Sequence, residues 1–282
     1  RYRDSVAVIL VYASTKCREA VAFSCGLSAI GVQSKILTAS DYGRGQVIPC
    51  EAVVISGTRG KGAVILSDHE AVGIPVIVID YGYLRRVSGM ASWETGHWQV
   101  GVGGLNRPPA FDCSPDRFNS LELQISRPTL GGCTIVLGQH SGDPSHGMTD
   151  GQMAAWGRAA CNETGGYWRP HPDSQHIDVD APRADGPFSE WLGRAGLVRT
   201  VCSTGGLEAL IAGIPAVADM PDMASWGALS GTIHPGKNAV KSLCNRLAYG
   251  QWTLDEMRSG LAPEFVLSNM RRWNEQRPKD SI

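Results

Sequence analysis

The sequence has little that would attach it to a membrane or draw it as a whole to nucleic acid. No apolar run approaches the ~20 residues that a membrane-spanning helix needs, and no secretory signal pattern stands at its start. Its 26 basic and 27 acidic residues give a formal net charge of −1, so no overall positive field attracts polyanions. We therefore expect no membrane contact and a cytoplasmic location, the host cytoplasm if the source is viral.

The patterns that usually mark a metal site are missing as well. The eight cysteines are scattered singly without a C-x-x-C pair, which favours buried free thiols in a reducing compartment over disulfides or zinc sites. There is no H-E-x-x-H, and Asp178-Val179-Asp180, which matches D-x-D formally, lies in an acidic loop away from any predicted strand end. The sequence therefore predicts no metal site.

Three common catalytic or cofactor-binding signatures are also absent. G-x-S-x-G, the nucleophile turn of α/β-hydrolases, does not occur. The first predicted strand runs into Tyr12-Ala13-Ser14 without the G-x-G-x-x-G of NAD enzymes. The basic loop Gly57–Gly62 lacks the spacing of an ATP-binding P-loop. These absences argue against an esterase, a dehydrogenase and an ATPase.

What is present is an alternation of apolar strands with helical segments, which predicts parallel, doubly wound α/β sheets. Ligands of such sheets collect at the carboxyl ends of the strands. A proline-containing stretch, Pro108–Pro128, separates two such series, so we place a first domain at residues 1–128 and a second at 129–282. The predicted strands include Val6–Tyr12, Ser34–Thr38, Ala52–Ser56, Pro75–Asp80, Thr134–Gln139, Val198–Cys202 and Ala216–Ala218.

The stretch Val198–Ala218 predicts a strand, a tight turn, a helix and a second strand. The turn Ser203–Gly206 would leave unpaired N–H groups at the start of the helix, which suit a diphosphate. Glu208, one turn into the helix, could accept hydrogen bonds from a ribose diol. Taken alone, the stretch fits an ordinary structural turn as well as it fits a phosphate site. Upstream, Tyr167–Pro172 predicts an aromatic strand whose carboxyl end carries Arg169 and His171.

These two segments together resemble the nucleotide-sugar half of GT-B glycosyltransferases. The order R-P-H-P, then S-T-G-G-L-E-A-L, is similar to the bacterial capsule-synthesis and glycerophosphotransferase branches, over roughly Thr134 to Ala218. The resemblance implies two Rossmann-like domains facing a central cleft, with terminal helices crossing back to the first domain. It also implies a metal-independent enzyme without a cofactor, whose nucleotide-sugar donor, expected to be a UDP-sugar, is held by the second domain.

Under this resemblance, Arg169 and His171 face the diphosphate and Glu208 holds the ribose. A loop after a strand and the turn at the helix start supply the remaining donor contacts: Gln139, His140, Ser203, Thr204, Gly205 and Gly206.

In the first domain, Asp80 at a strand end is our first candidate for the base that takes the proton of an acceptor hydroxyl, and His97 is the second. For a single carboxylate at such a position, capping the turn that follows is the more common role. The acceptor is expected to contact cations and to stack on aromatic rings, although a core-packing role for the tryptophans is at least as well supported. These acceptor candidates are Arg59, Lys61, Arg85, Arg86, Trp93 and Trp98.

The run that begins at Asp80-Tyr81-Gly82-Tyr83-Leu84 resembles phage-encoded proteins with GT-B-like tails. That resemblance implies a hydroxymethylated pyrimidine of double-stranded DNA as the acceptor, flipped out of the helix and held through phosphate contacts. A capsule or teichoic-acid type of glycosyl- or glycerophospho-transferase, acting on a glycan or polyol phosphate, is the alternative that R-P-H-P favours. A non-catalytic nucleotide-binding protein remains a third possibility.

Overall fold

The computed structural model describes residues 8–14, 16–129 and 131–275. It divides into two compact units, Arg1–Arg117 with Asn245–Ile282, and Phe118–Cys244. The boundary between Arg117 and Phe118 lies inside Pro108–Pro128, the stretch where the sequence predicts the linker. Residues 118–128, which we assigned to the first domain, belong to the second unit, where the Ser126 backbone N–H donates to the Ile211 carbonyl.

The elements are numbered in chain order. The strands are β1 Ile9–Ala13, β2 Ser34–Thr38, β3 Ala52–Ser56, β4 Val76–Tyr81, β5 Trp98–Val102, β6 Cys133–Leu137, β7 Tyr167–Arg169, β8 Ala195–Thr200, β9 Ala216–Ala218 and β10 Gln251–Trp252. The helices are α1 Arg18–Ala29, α2 Lys61–Ala71, α3 Asp116–Ser120, α4 Asp150–Thr164, α5 Phe188–Leu192, α6 Gly205–Ile211, α7 Lys237–Tyr249, α8 Leu254–Arg258 and α9 Leu261–Glu275. Val6 and Ala7 of the first predicted strand lie outside the described residues. None of the helices in the described part is both long and apolar enough to cross a membrane.

The first unit is built on a six-stranded sheet in the order β10-β5-β4-β3-β1-β2. Strands β1 to β4 are parallel, and the consecutive apolar residues of β1, β3 and β4 are buried between helices on both faces, whereas the edge strand β2 is partly exposed. One face packs with residues of α1, α8 and α9, such as Phe23, Met257 and Val266. The other face packs on α2 through Ile65. Helices on both faces are the arrangement that the sequence predicts for a doubly wound sheet.

Strands β5 and β10 are antiparallel additions that the sequence did not predict. β5 follows a turn region rich in glycine and aromatic residues, which gives no clear period-two pattern. Buried Gln251 on β10 holds this edge, because its Oε1 accepts the backbone N–H groups of Tyr83 and Leu84 at 2.8 and 2.7 Å. The C-terminal residues therefore complete the sheet of the first unit.

The second unit carries a wholly parallel sheet in the order β7-β6-β8-β9. Its helix α4 begins with a capping box, in which the Thr149 hydroxyl accepts the Gln152 N–H and the Gln152 side chain accepts the Thr149 N–H. Helix α6 ends before Gly213, whose φ of +85° places it in the left-handed region that glycine favours. The predicted doubly wound α/β architecture is confirmed in each unit.

Candidate functional site

The carboxyl ends of β6 and β8 form the switch point of the second sheet. The chain leaves β6 toward β7 on one side, and it leaves β8 toward β9 on the other. A doubly wound sheet opens into a crevice at such a point, and ligands bind there. In register, Leu137 of β6 lies beside Arg169 of β7 and Thr200 of β8, so the three strands end at one level. All the donor residues predicted from the sequence lie at or shortly after these strand ends.

Gln139, expected to bind the donor, is directed into the protein instead. Its side chain is 7% exposed, and its Oε1 accepts the Cys202 backbone N–H at 2.7 Å and the Thr200 hydroxyl at 3.2 Å. Its Nε2 donates to the Cys202 Sγ at 3.4 Å. The amide thus ties the end of β6 to the turn after β8, and Gln139 positions that turn rather than contacting a ligand.

The turn Ser203–Gly206 is partly satisfied by its own atoms, which corrects the expectation of unpaired N–H groups. The Gly205 N–H donates to the Ser203 Oγ at 3.1 Å, and the Gly206 N–H donates to the Ser203 carbonyl at 3.1 Å. Helix α6 is also short, at 7 residues. The Ser203 and Thr204 side chains are half-buried, so their hydroxyls are the groups of this turn that can meet a ligand.

The two glycines of this turn pack against protein. A Cβ on Gly205 would lie 2.5 Å from the Leu137 Cδ1, and one on Gly206 would overlap the ring of Trp226. Trp226 is fully buried and donates its indole N–H to the Ser203 carbonyl at 2.8 Å. We expected these glycines to let a ligand approach the backbone, whereas the space they leave is filled by Leu137 and Trp226.

Arg169 is half-buried at the end of β7. Its Nη1 donates to the Ala184 carbonyl at 2.7 Å, and its guanidinium lies 5.4 Å from the ring centre of Phe188. Burial lowers the pKa of Arg169, while the carboxylates of Asp185 and Glu208 act in the opposite direction. The exposed carboxylate of Glu208 is therefore close enough to influence Arg169 electrostatically, so the structure brings these two predicted residues together.

His140 and His171 also approach each other, with their ring centres 5.9 Å apart. The His171 Nδ1 accepts the Asp173 backbone N–H at 3.1 Å, so the proton of a neutral ring lies on Nε2. The His140 Nδ1 lies 3.1 Å from the Ser174 hydroxyl. Among the described residues, no group of three or more His, Cys, Asp and Glu side chains is arranged to hold a metal ion.

In the first unit, Asp80 and His97 share one edge of the sheet, because β5 runs antiparallel to β4 and begins where β4 ends. The Asp80 Oδ1 accepts the N–H of Tyr81 at 2.7 Å, which is the turn-capping role left open by the sequence. Burial lowers the pKa of His97, and its Nδ1 lies 3.4 Å from the Arg85 carbonyl. A neutral imidazole is favoured there.

The acceptor candidates of the first unit divide into two groups. Arg59, Lys61, Arg85 and Arg86 are exposed, and the Lys61 Nζ donates to the Tyr42 carbonyl at 2.7 Å. Trp98, in contrast, is 4% exposed and belongs to the core. Trp93 packs against the same core, with its ring 5.4 Å from that of Trp98. The tryptophans therefore fill the interior, and their predicted stacking on an acceptor is not supported.

The sequence did not identify Glu19 and Ser56, which lie at the switch point of the first sheet between β1 and β3. The Ser56 hydroxyl donates to the Glu19 Oε1, and Glu19 is 4% exposed. One signal was available, since Glu19 is an acidic residue in the first turn of the helix that follows β1 and directly precedes the apolar run Ala20–Phe23.

Two solved structures from Thermosulfurimonas dismutans are similar to this chain. One is KpsC, a beta Kdo 2,7 transferase, with a TM-score of 0.51 and 14% identity over 92% of this chain and 99% of that chain. The other is KpsC, a beta Kdo 2,4 transferase, with a TM-score of 0.54 and 13% identity over 86% of this chain and 90% of that chain. No protein-family model and no curated protein sequence matches the chain. At this identity the likeness is one of fold: the chain has a GT-B-like fold, with a doubly wound α/β sheet in each of its units.

Proposed function

We propose that the protein is a GT-B glycosyltransferase whose second unit holds a nucleotide-sugar donor. The observation that carries this proposal is the convergence of Arg169, Glu208 and the His140–His171 pair at the switch point of the second sheet. A cation beside hydrogen-bonding imidazoles suits a phosphate, and an exposed carboxylate suits the ribose diol. The fold shared with two sugar transferases supports the same conclusion.

In this proposal Arg169 and His171 stabilise the negative charge that develops on the departing nucleotide. The Ser203 and Thr204 hydroxyls donate further hydrogen bonds to it. Gln139 and Trp226 fix the turn that carries these hydroxyls, so their contribution is positional. No metal ion is required in this scheme, because protein cations and hydroxyls take its place.

For the acceptor, we favour a glycan or a polyol phosphate over DNA. R-P-H-P resembles the capsule-synthesis branch, and both similar structures are described as Kdo transferases. The exposed cations Arg59, Lys61, Arg85 and Arg86 suit an anionic acceptor of either kind. Asp80 remains our first candidate for taking the acceptor proton, and His97 the second.

A mass-spectrometric transfer assay tests this proposal. The protein is incubated with UDP-glucose, UDP-N-acetylglucosamine or CMP-activated Kdo, and with a Kdo disaccharide, a glycerol-phosphate oligomer or hydroxymethylcytosine DNA. We expect a sugar-sized mass gain on one of the first two acceptors. A mass gain on the hydroxymethylcytosine DNA would support the glycosyltransferase but would show that the acceptor is DNA and not a glycan or polyol phosphate. Donor binding without consumption of any donor would contradict the proposed enzymatic activity and favour a non-catalytic nucleotide-binding protein.

A further inference from the structure

The first sheet has a switch point of its own, between β1 and β3, and a buried Ser–Glu pair lies there. Ser56 is the last residue of β3, and Glu19 belongs to the first turn of the helix after β1. The Ser56 hydroxyl donates to the Glu19 Oε1. Glu19 is 4% exposed, whereas Ser56 is half-buried and reaches the edge of the sheet where ligands of such folds collect.

Stability does not explain this pair. The second carboxyl oxygen of Glu19, Oε2, is buried and has no hydrogen-bond partner. A buried polar atom without a partner destabilises a fold, and an apolar side chain in its place would avoid that penalty. Each buried group of this kind calls for an explanation, and a role in binding is one.

We propose that Ser56, oriented by Glu19, is a recognition site for a sugar hydroxyl of the acceptor. This inference rests on the proposed glycosyltransferase function. In this structure the Ser56 hydroxyl donates its single proton to the Glu19 Oε1. The lone pairs of the Ser56 oxygen then accept a hydrogen bond, and the ligand group that supplies one is a hydroxyl. Ser56 contacts the ligand, and Glu19 is a positioning residue that acts through it.

The surroundings of Ser56 suit the same ligand class. The next residue, Gly57, has a φ of +68°, and a Cβ on it would lie 3.4 Å from the Asp80 Oδ2. A second carboxylate therefore borders the turn, and carboxylates are strong acceptors for sugar hydroxyls. Arg59 and Lys61, exposed two and four positions further along, add positive charge. A hydroxyl-rich, anionic glycan combines both requirements.

The test compares Ser56→Ala, Glu19→Gln and the double variant Glu19→Met/Ser56→Ala. Replacing both polar partners by apolar ones can restore stability that a single replacement removes, so the double variant separates binding from folding. Ser67→Ala, an exposed serine on α2, is the matched control. For each protein we measure the thermal midpoint and the acceptor and donor KM. Calorimetric binding of a Kdo disaccharide and of a glycerol-phosphate oligomer is measured without donor.

We expect Ser56→Ala and the double variant to bind the preferred probe about 3- to 10-fold more weakly and to raise the acceptor KM equally, in line with one lost hydrogen bond. Glu19→Gln should give a smaller change, because its amide oxygen can still accept from Ser56. Adding Glu19→Met to Ser56→Ala should weaken binding no further, since Glu19 acts only through Ser56.

The inference is overturned if the double variant folds as stably as the wild type and binds the probe with the wild-type affinity. It is also overturned if the wild type binds neither probe. A wild type that binds a probe through Ser56 but consumes no donor would refute the proposed function and leave this site standing.

Discussion

Substituting Gly206 by alanine tests whether the turn after β8 is shaped by its packing on Trp226. A Cβ at this position would lie 2.5 Å from the Trp226 Cε2 and Cη2 and closer still to Cζ2, and the ring is fully buried. Overpacking at a rigid site costs up to ~3 kcal/mol, and the displaced indole also loses its hydrogen bond to Ser203, which adds ~1 kcal/mol. Alanine regains ~1 kcal/mol of helix propensity, so the unfolding free energy should fall by about 3 kcal/mol.

Urea unfolding measures the total change, and hydrogen exchange of the peptide covering residues 200–212 reports the second unit directly. Gly151→Ala is the matched control, because Gly151 also lies near the start of a helix but an added Cβ meets nothing within 4 Å. We expect the control to gain up to ~1 kcal/mol. Equal unfolding midpoints for the two variants would refute the packing argument.

A compensating substitution sharpens the same test. Phenylalanine at Trp226 lacks the fused part of the indole that a Cβ on Gly206 would overlap. Gly206→Ala/Trp226→Phe should therefore lose less stability than the two single variants together, with a coupling of ~1–2 kcal/mol. Additive losses would mean that the alanine acts through some other contact.

Three further predictions follow from the same structure. Arg169→Ala should raise the donor KM by about 10- to 100-fold, as expected for a lost charge-assisted hydrogen bond, while Arg158→Ala, an exposed arginine on α4, should not change it. Arg117 holds Glu256 in a bidentate pair at 2.6 and 3.1 Å, and its guanidinium lies 3.8 Å from the Trp252 ring centre. Arg117→Ala should therefore lower the unfolding free energy by ~3 kcal/mol. Burial alone would raise the pKa of Glu256, but hydrogen bonds from Arg117 and Thr253 lower it below its ordinary value. The stabilisation from the Arg117–Glu256 pair is therefore present above pH ~4.3 and is lost as the pH falls through the pKa of Glu256 in the folded protein. The urea midpoints of the wild type and Arg117→Ala should accordingly converge in acid. Transfer activity should survive excess EDTA if protein groups alone stabilise the leaving nucleotide. A loss of activity in EDTA that added Mg²⁺ restores would refute the metal-independent scheme.

The central strands could be predicted from the sequence because parallel strands buried on both faces are continuous apolar runs. The central strand Ala52–Ser56 has the bounds that the sequence predicted, and so do the edge strands Ser34–Thr38 and Ala216–Ala218. β5 was not predicted because it follows a glycine- and aromatic-rich turn region without a period-two pattern, and β10 was not predicted because it depends on a partner distant in the chain. β10 pairs with β5 across about 150 residues, and no local pattern records such a contact.

The candidate site could be predicted by position but only partly by role. Arg169 ends a strand and His171 and Glu208 follow strand ends, so a sheet with parallel strands brings them to one edge whatever the direction of their side chains. The direction of a side chain cannot be predicted in this way. Gln139 points inward, where its Oε1 accepts hydrogen bonds from the Cys202 N–H and the Thr200 hydroxyl, and Trp226 occupies the space that a side chain at Gly206 would fill. Both partners lie more than 15 residues away in sequence, so periodicity and spacing cannot report them.

At each of the two switch points a different side chain links the first strand of the unit to the third. In each sheet a buried polar residue that follows the first strand reaches the end of the third, Gln139 to Cys202 in the second unit and Glu19 to Ser56 in the first. The neutral amide of Gln139 uses its oxygen and its nitrogen on protein partners, so the turn it holds is fixed before any ligand arrives. The carboxylate of Glu19 leaves Oε2 without a partner. An amide at this position would orient Ser56 with less certainty, because either of its ends could face the hydroxyl, whereas a carboxylate admits a single direction for the proton. That difference is the physical reason to expect recognition of a hydroxyl donor at the first switch point.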